Sequence, residues 1–124
     1  MNNRLLIIED NEQNFYLMRF LLEKNGFTVF GAEDGRKGIE MALSCEPQAI
    51  LLDIQLPEMD GYSVAAALKT HPQLDAVPII AVTSYAMVGD RETIMAAGAT
   101  GYIEKPIDPE TFVAEIEAYL PREK

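Results

Sequence analysis

Three short apolar runs without a polar interruption constrain this chain more than any other feature: residues 4–8 read Arg-Leu-Leu-Ile-Ile, 49–52 Ala-Ile-Leu-Leu and 78–82 Pro-Ile-Ile-Ala-Val. Strands of this kind have no polar face to give to water, so both of their faces must be covered. Residues 28–30 and 100–103 are shorter candidates carrying β-branched and aromatic side chains. Between the runs, apolar residues return at helical spacing, as in Phe15, Met18 and Leu22, and again in Val113, Ile116 and Leu120. The first helix should stop at Asn25-Gly26, and the last should begin at Asp108-Pro109, an N-cap acceptor before a proline. Residues 35–44, 63–71 and 89–97 fill the remaining gaps as helices, the last of them weakly, with Ile94 and Met95 almost its only large apolar groups. Strand and helix alternate five times, which predicts an α/β fold: a parallel sheet covered on both faces, because each right-handed crossover needs a helix to return the chain.

A chain of 124 residues accommodates one such unit, read here as a single domain over residues 1–124 with a frayed tail at 121–124. No apolar run approaches the roughly 18 residues that span a bilayer, and the start at Met1-Asn2-Asn3 lacks the long apolar segment of a secretory signal. A cytoplasmic protein without membrane insertion is expected. Twenty acidic against ten basic side chains leave a net charge of -10, a field that repels nucleic acid. Cys45 is the only cysteine and His71 the only histidine, which excludes an internal disulfide and a multi-cysteine metal site and disfavours zinc. Cys45 reads as a small apolar filler, and His71, before Pro72 at a helix end, as a group suited to the helix dipole.

The polar residues that follow the apolar runs form a pattern. Glu9-Asp10 follow the first strand, Asp53 the third, Thr83 the fourth and Lys105 the fifth. In an open parallel sheet those ends share one edge, outside which ligands bind, so these residues are expected to converge. Three carboxylates gathered closely either hold a proton or bind a cation, and magnesium suits an all-oxygen site that also receives a phosphate. With Lys105 beside it, such a site could accept a phosphoryl group, Asp53 being the nucleophile. Each residue alone has a plainer use as a cap or turn former, Asp10 or Asn11 at the start of the first helix among them.

Read together, Ile7-Ile8-Glu9-Asp10-Asn11, the segment from Leu51-Leu52-Asp53 through Gln55-Leu56-Pro57 to Asp60-Gly61, Ala81-Val82-Thr83-Ser84, Gly98-Ala99 and Tyr102-Ile103-Glu104-Lys105-Pro106 resemble the receiver domain of two-component response regulators. The resemblance runs through nearly the whole chain. It implies a sheet of order 2-1-3-4-5 flanked by five helices, and phosphoryl transfer to Asp53 from a phosphohistidine on a histidine kinase or phosphotransfer protein. It further implies Mg2+ bound by Asp10 and Asp53 directly, by Glu9 through water and by the backbone carbonyl of Gln55. Lys105 would pair with the acceptor carboxylate and then with the phosphoryl oxygen, with a cis Lys105–Pro106 peptide, and Thr83 would donate its hydroxyl to the phosphoryl group. Tyr102 stands at the family's switch position, so the face of fourth helix, fifth strand and fifth helix would be read by a downstream protein, the domain being a monomer or a phosphorylation-linked dimer. Asn11 and Asn14 are candidate kinase contacts beside the plainer reading of a polar helix face, and Met59 and Met87 are loop residues near the site.

Met1 at the start favours a stand-alone regulator of the chemotaxis or cell-division kind, acting as a switch and not as an enzyme with turnover; a receiver excised from a hybrid histidine kinase is the alternative. A phosphohydrolase of haloacid-dehalogenase type would need a second aspartate two residues after the first, where this chain has Asp10-Asn11-Glu12. A flavodoxin-like FMN carrier would need a Ser/Thr/Gly-rich loop where Glu9-Asp10 stand. Gln55 and Tyr85, two residues beyond Asp53 and Thr83, occupy positions that in the family flank the path of the hydrolytic water. A bulky Tyr85 excludes water and so predicts an acyl phosphate that persists for many minutes. Tyr85→Glu is expected to accelerate phosphate loss, followed as decay of the loaded form; an unchanged decay would count against shielding.

Overall fold

In the computed structural model, which describes residues 3–56, 61–84 and 88–120, the fold is built on the three apolar runs. They become β1 (Arg4–Ile8), β3 (Ala49–Asp53) and β4 (Ile79–Thr83), joined by β2 (Thr28–Ala32) and β5 (Gly101–Glu104). All neighbours pair in parallel, in the order β2-β1-β3-β4-β5. The continuous runs are therefore interior strands, and every residue of β3 and β4 is buried. The weaker candidates are the two edges.

Helices α1 (Glu12–Lys24), α2 (Gly35–Cys45), α3 (Gly61–Lys69), α4 (Val88–Ala96) and α5 (Phe112–Tyr119) cover the sheet. Alternate residues along each strand serve opposite faces. Leu6, Ile8, Ile50 and Leu52 pack with Ala42 of α2 and Val64 and Leu68 of α3. Leu5, Ile7, Leu51 and Val82 pack with Met18 and Leu22 of α1 and Phe112 and Ile116 of α5. Ile94 of α4 is buried on a third cluster with Ile54, Ala81 and Ala99, while Met95 is exposed, so α4 is held by a single large side chain among those described.

Capping explains where the helices begin and where the sequence reading misses. Asn11 Oδ1 accepts the Asn14 N–H at 2.9 Å, and Asp34 Oδ1 the Lys37 N–H at 2.8 Å, closing two helix starts. Asp108-Pro109, in contrast, does not open the last helix. Asp108 Oδ1 takes the N–H of Glu110, two residues on, at 2.9 Å, forming an Asx-turn, and α5 starts at Phe112. The third helix ends at Lys69, not at 71, because Pro72 restricts His71 to an extended conformation and opens a short 3-10 turn, Pro72–Leu74. His71 thus precedes that turn instead of terminating a helix, and its N–H still reaches the Leu68 carbonyl at 3.3 Å.

Gly61 sets the approach of α3 to the end of β3. A Cβ built there would lie 2.4 Å from the Ile54 Cα and 2.9 Å from the Asp53 carbonyl oxygen, both backbone atoms that cannot swing aside. Gly61→Ala is expected to lower the unfolding free energy by about 1–3 kcal/mol, read from urea denaturation. Unaltered stability would contradict so close a contact.

Candidate functional site

The C-terminal ends of β1, β3, β4 and β5 bring together Glu9, Asp10, Asp53, Thr83 and Lys105, which lie far apart in sequence. Glu9, Asp53 and Thr83 are the buried polar residues among those described, each 1–3% exposed, whereas Asp10 is exposed. One carboxylate oxygen from each of Glu9, Asp10 and Asp53 can be chosen so that all lie within 4.8 Å of one another. Lys105 Nζ stands 3.1 Å from Glu9 Oε1 and 3.4 Å from Asp53 Oδ1. A single ammonium therefore faces two buried carboxylates.

Backbone groups hold the acids in place. The Asn11 N–H donates to Glu9 Oε2 at 3.2 Å, and the Gln55 N–H donates to Asp53 Oδ1 at 2.9 Å. The Lys105 N–H donates to the Thr83 carbonyl at 2.9 Å, tying the base of the lysine to the end of β4, and the Lys105–Pro106 peptide is cis. These anchors escape sequence reading, because every residue except proline offers an N–H and only geometry says which ones meet a carboxylate. The family resemblance implies a role for the Gln55 carbonyl, whereas the contact Gln55 makes to Asp53 is through its N–H. Tyr102 is half-buried and packs on the cluster of Ile54, Ala81, Ile94 and Ala99 that α4 completes. Tyr85, Met59 and Met87 lie outside the described residues, so the predicted shielding by Tyr85 stays a sequence expectation.

The electrostatics leave the acids undercompensated. Glu9 is pushed up from 4.5 to about 7, first because burial strips water from its charged form, then because the adjacent Asp53 carboxylate favours a shared proton; Lys105 and the Asn11 N–H only partly oppose this. Glu9 Oε1 is also buried without an aligned hydrogen bond, although the Lys105 ammonium is close. An unsatisfied buried acceptor within an all-oxygen donor set fits a hard divalent cation. Glu9, Asp10 and Asp53 are the residues able to hold one.

Comparison with known proteins bears on the same site. Residues 5–117 match the model of the response regulator receiver domain. The chain is 41% identical over 120 residues to the polar-differentiation response regulator DivK of Brucella ovis, covering 97% of this chain and 98% of that protein. Among solved structures, the chemotaxis protein CheY4 of Vibrio cholerae superposes with a TM-score of 0.92 at 26% identity, over 97% of this chain and 100% of that one. The receiver domain of a sensor histidine kinase from Pseudomonas aeruginosa, solved with a magnesium ion coordinated in its active-site cleft, gives 0.87 at 31% identity, over 96% and 98%.

The raised Glu9 sets a pH dependence whose sign can be worked out. Between about 4.5 and 7 the folded chain keeps a proton on Glu9 that the unfolded chain releases, so this group's stabilising contribution is full below 4.5 and is lost as the pH rises to 7. A divalent cation binds the ionised form and opposes that loss. The increase in Tm on adding MgCl2 is expected to be larger at pH 8 than at pH 5, as thermal melts will show; an equal increase at both would disconnect Glu9 from the cation.

Proposed function

We propose, from the premise that this chain belongs to the response regulator receiver family, that it is a switch thrown by transfer of a phosphoryl group to Asp53. Receiver domains act as phosphoacceptor switches, and the observation that carries the assignment to Asp53 is its position at the end of β3, buried, with Lys105 and two further carboxylates around it. The donor is a phosphohistidine on a histidine kinase or phosphotransfer protein. Asp53 attacks the phosphorus, an O–P bond forms, the P–N bond breaks, and its electron pair returns to the imidazole. Little chemistry is asked of the protein beyond placement and charge.

Glu9, Asp10 and Asp53, with the Gln55 carbonyl, would hold Mg2+, which when bound offsets the negative charge brought together by the acids and the phosphoryl oxygens. The remaining steps belong to the chain's own groups. Lys105 faces Asp53 before transfer and keeps its ammonium against a phosphoryl oxygen afterwards. Thr83, at the end of the neighbouring strand, turns its hydroxyl to another. As Thr83 moves inward, Tyr102 rotates into the space behind it, so the face formed by α4, β5 and α5 changes shape and is read by a downstream protein. Ala81 and Tyr102 are direct neighbours across the β4–β5 ladder, and Thr83 is two residues further along β4, which supports that coupling.

On this proposal residues 1–124 act as one receiver unit by protein contacts, not by turnover of a substrate, in the cytoplasm. Similarity to DivK over almost all of that protein supports a stand-alone regulator; similarity to the Pseudomonas kinase receiver supports the alternative, a unit of a hybrid kinase. Among the described residues no helix is long and apolar enough to cross a membrane. The assignment is tested by incubating the protein with acetyl phosphate and MgCl2 and weighing it by mass spectrometry. One phosphoryl group should be gained by the wild type, and none by Asp53→Asn or after chelation of the metal; phosphorylation of Asp53→Asn to the wild-type extent would remove Asp53 from its role.

A further inference from the structure

Strand β2 forms one edge of the sheet, and beside it a groove of about 930 Å³ runs from Glu9 and Asp10 down between α1 and α2. Its floor is the edge itself. The Thr28 N–H donates to the Asn3 carbonyl at 3.0 Å, and the Ala32 carbonyl accepts from the Glu9 N–H at 3.0 Å, so the backbone groups of residues 28, 30 and 32 turn towards β1. A parallel ladder alternates. The N–H and C=O groups of Val29 and Gly31 therefore turn outward, along the groove floor. Edge strands that expose such groups are templates for another strand unless they are blocked by charge, proline or a bulge, and Thr-Val-Phe-Gly-Ala carries none of these.

The walls offer apolar seats on both faces. Phe15 of α1 lies so close over Gly31 that a Cβ there would come within 2.4 Å of its ring, and Met41 of α2 lines the opposite wall. The charge along the groove is mostly negative. Glu9, Asp10, Glu12, Glu33 and Glu40 line the groove against two cations, Arg19 and Lys37; Lys37 pairs with Glu33 at 2.6 Å and Arg19 with Glu23 at 3.2 Å, which leaves Glu12 and Glu40 as the rim acids without a cation in that lining. An incoming strand would find backbone partners in the middle, apolar contact on either side of it, and carboxylates around it.

We propose that this groove binds an extended segment of a partner protein by strand addition to β2, the segment being apolar at its centre and flanked by Lys or Arg. Main-chain hydrogen bonds to Val29 and Gly31 supply the register, Phe15 and Met41 receive the central side chains, and the acidic rim selects the cationic flanks. A second copy of this chain is a poor occupant. Its own β2 would bring the same acidic rim, and each copy carries a net charge of -10. The proposal does not depend on phosphorylation of Asp53.

The test uses the full 15N-labelled chain and the synthetic peptide Lys-Lys-Val-Thr-Val-Thr-Val-Lys-Lys. Saturating peptide should shift the Val29 and Gly31 amide resonances and slow their hydrogen exchange by roughly tenfold. Glu40→Lys, an exposed change on the rim, should weaken binding several-fold, and Val29→Pro, which removes an outward N–H and no β1 bond, should abolish it. If Val29→Pro fails to fold, Glu40→Lys and a control peptide with proline for the central valine still decide the matter. Equal binding of the proline peptide would reduce the effect to attraction by an acidic surface and overturn strand addition. Absence of protection would overturn it too, and protection that grows with protein concentration in the absence of peptide would assign the edge to a second copy.

Discussion

The structure depends on two buried carboxylates, Glu9 and Asp53, that share one ammonium, Lys105. Like charges so placed repel, and burial removes the water that would screen them. The arrangement persists because a rigid frame imposes it. β1, β3 and β4 are buried from end to end apart from the half-buried Arg4, and alternate side chains interlock with helices on both faces. A sheet covered so completely leaves its strand ends little freedom to separate the acids. The backbone N–H groups of Asn11 and Gln55 then fix which way each carboxylate points. The apolar core thus stores an electrostatic imbalance at its upper edge, and the chemistry proposed for the site is a way of relieving it.

Much of this was legible because it rests on pattern. Uninterrupted apolar runs identify interior strands, since only a strand covered on both faces can do without polar residues, and the polar residues after them mark the functional edge. Resemblance to the receiver family supplied the strand order, which alternation alone leaves open. The misses are local competitions between alternative hydrogen bonds. Asp108 could cap a helix or close an Asx-turn, and it does the second; residues 63–71 could run as one helix, but Pro72 acts back on His71. The outward-facing amides of β2 were invisible for another reason. Which backbone groups of an edge strand remain unpaired depends on register, and register is a property of the folded sheet.

Thr83 occupies a mechanical junction. Its carbonyl accepts the Lys105 N–H, its side chain is buried, and its strand is paired with β5, which carries Tyr102. A group that draws on the Thr83 hydroxyl therefore acts on a residue bonded to the base of the lysine that faces the acids. On the α4 side of this junction, Ile94 is the buried large side chain among those described, and Met95 is exposed. A change of state is best transmitted where restoring forces are small, and the described part of α4, with one large side chain in the core, lies on the face proposed to signal.

The two sheet edges differ in what they can recognise. At β5 the proposed signal is a change in side-chain packing around Tyr102, which a partner reads as shape. At β2 the exposed groups are main-chain donors and acceptors with an acidic rim, which favour a cationic extended segment. The groove begins at Glu9 and Asp10, the same residues that form the acidic cluster, so its upper end is least negative when a cation occupies that cluster. A basic segment near that end competes electrostatically with the cation, whereas one centred on Val29 and Gly31 meets Glu40 of α2 instead. Main-chain register can place a segment below the acidic cluster and leave that cluster open to a cation, which attraction between opposite charges alone could not do.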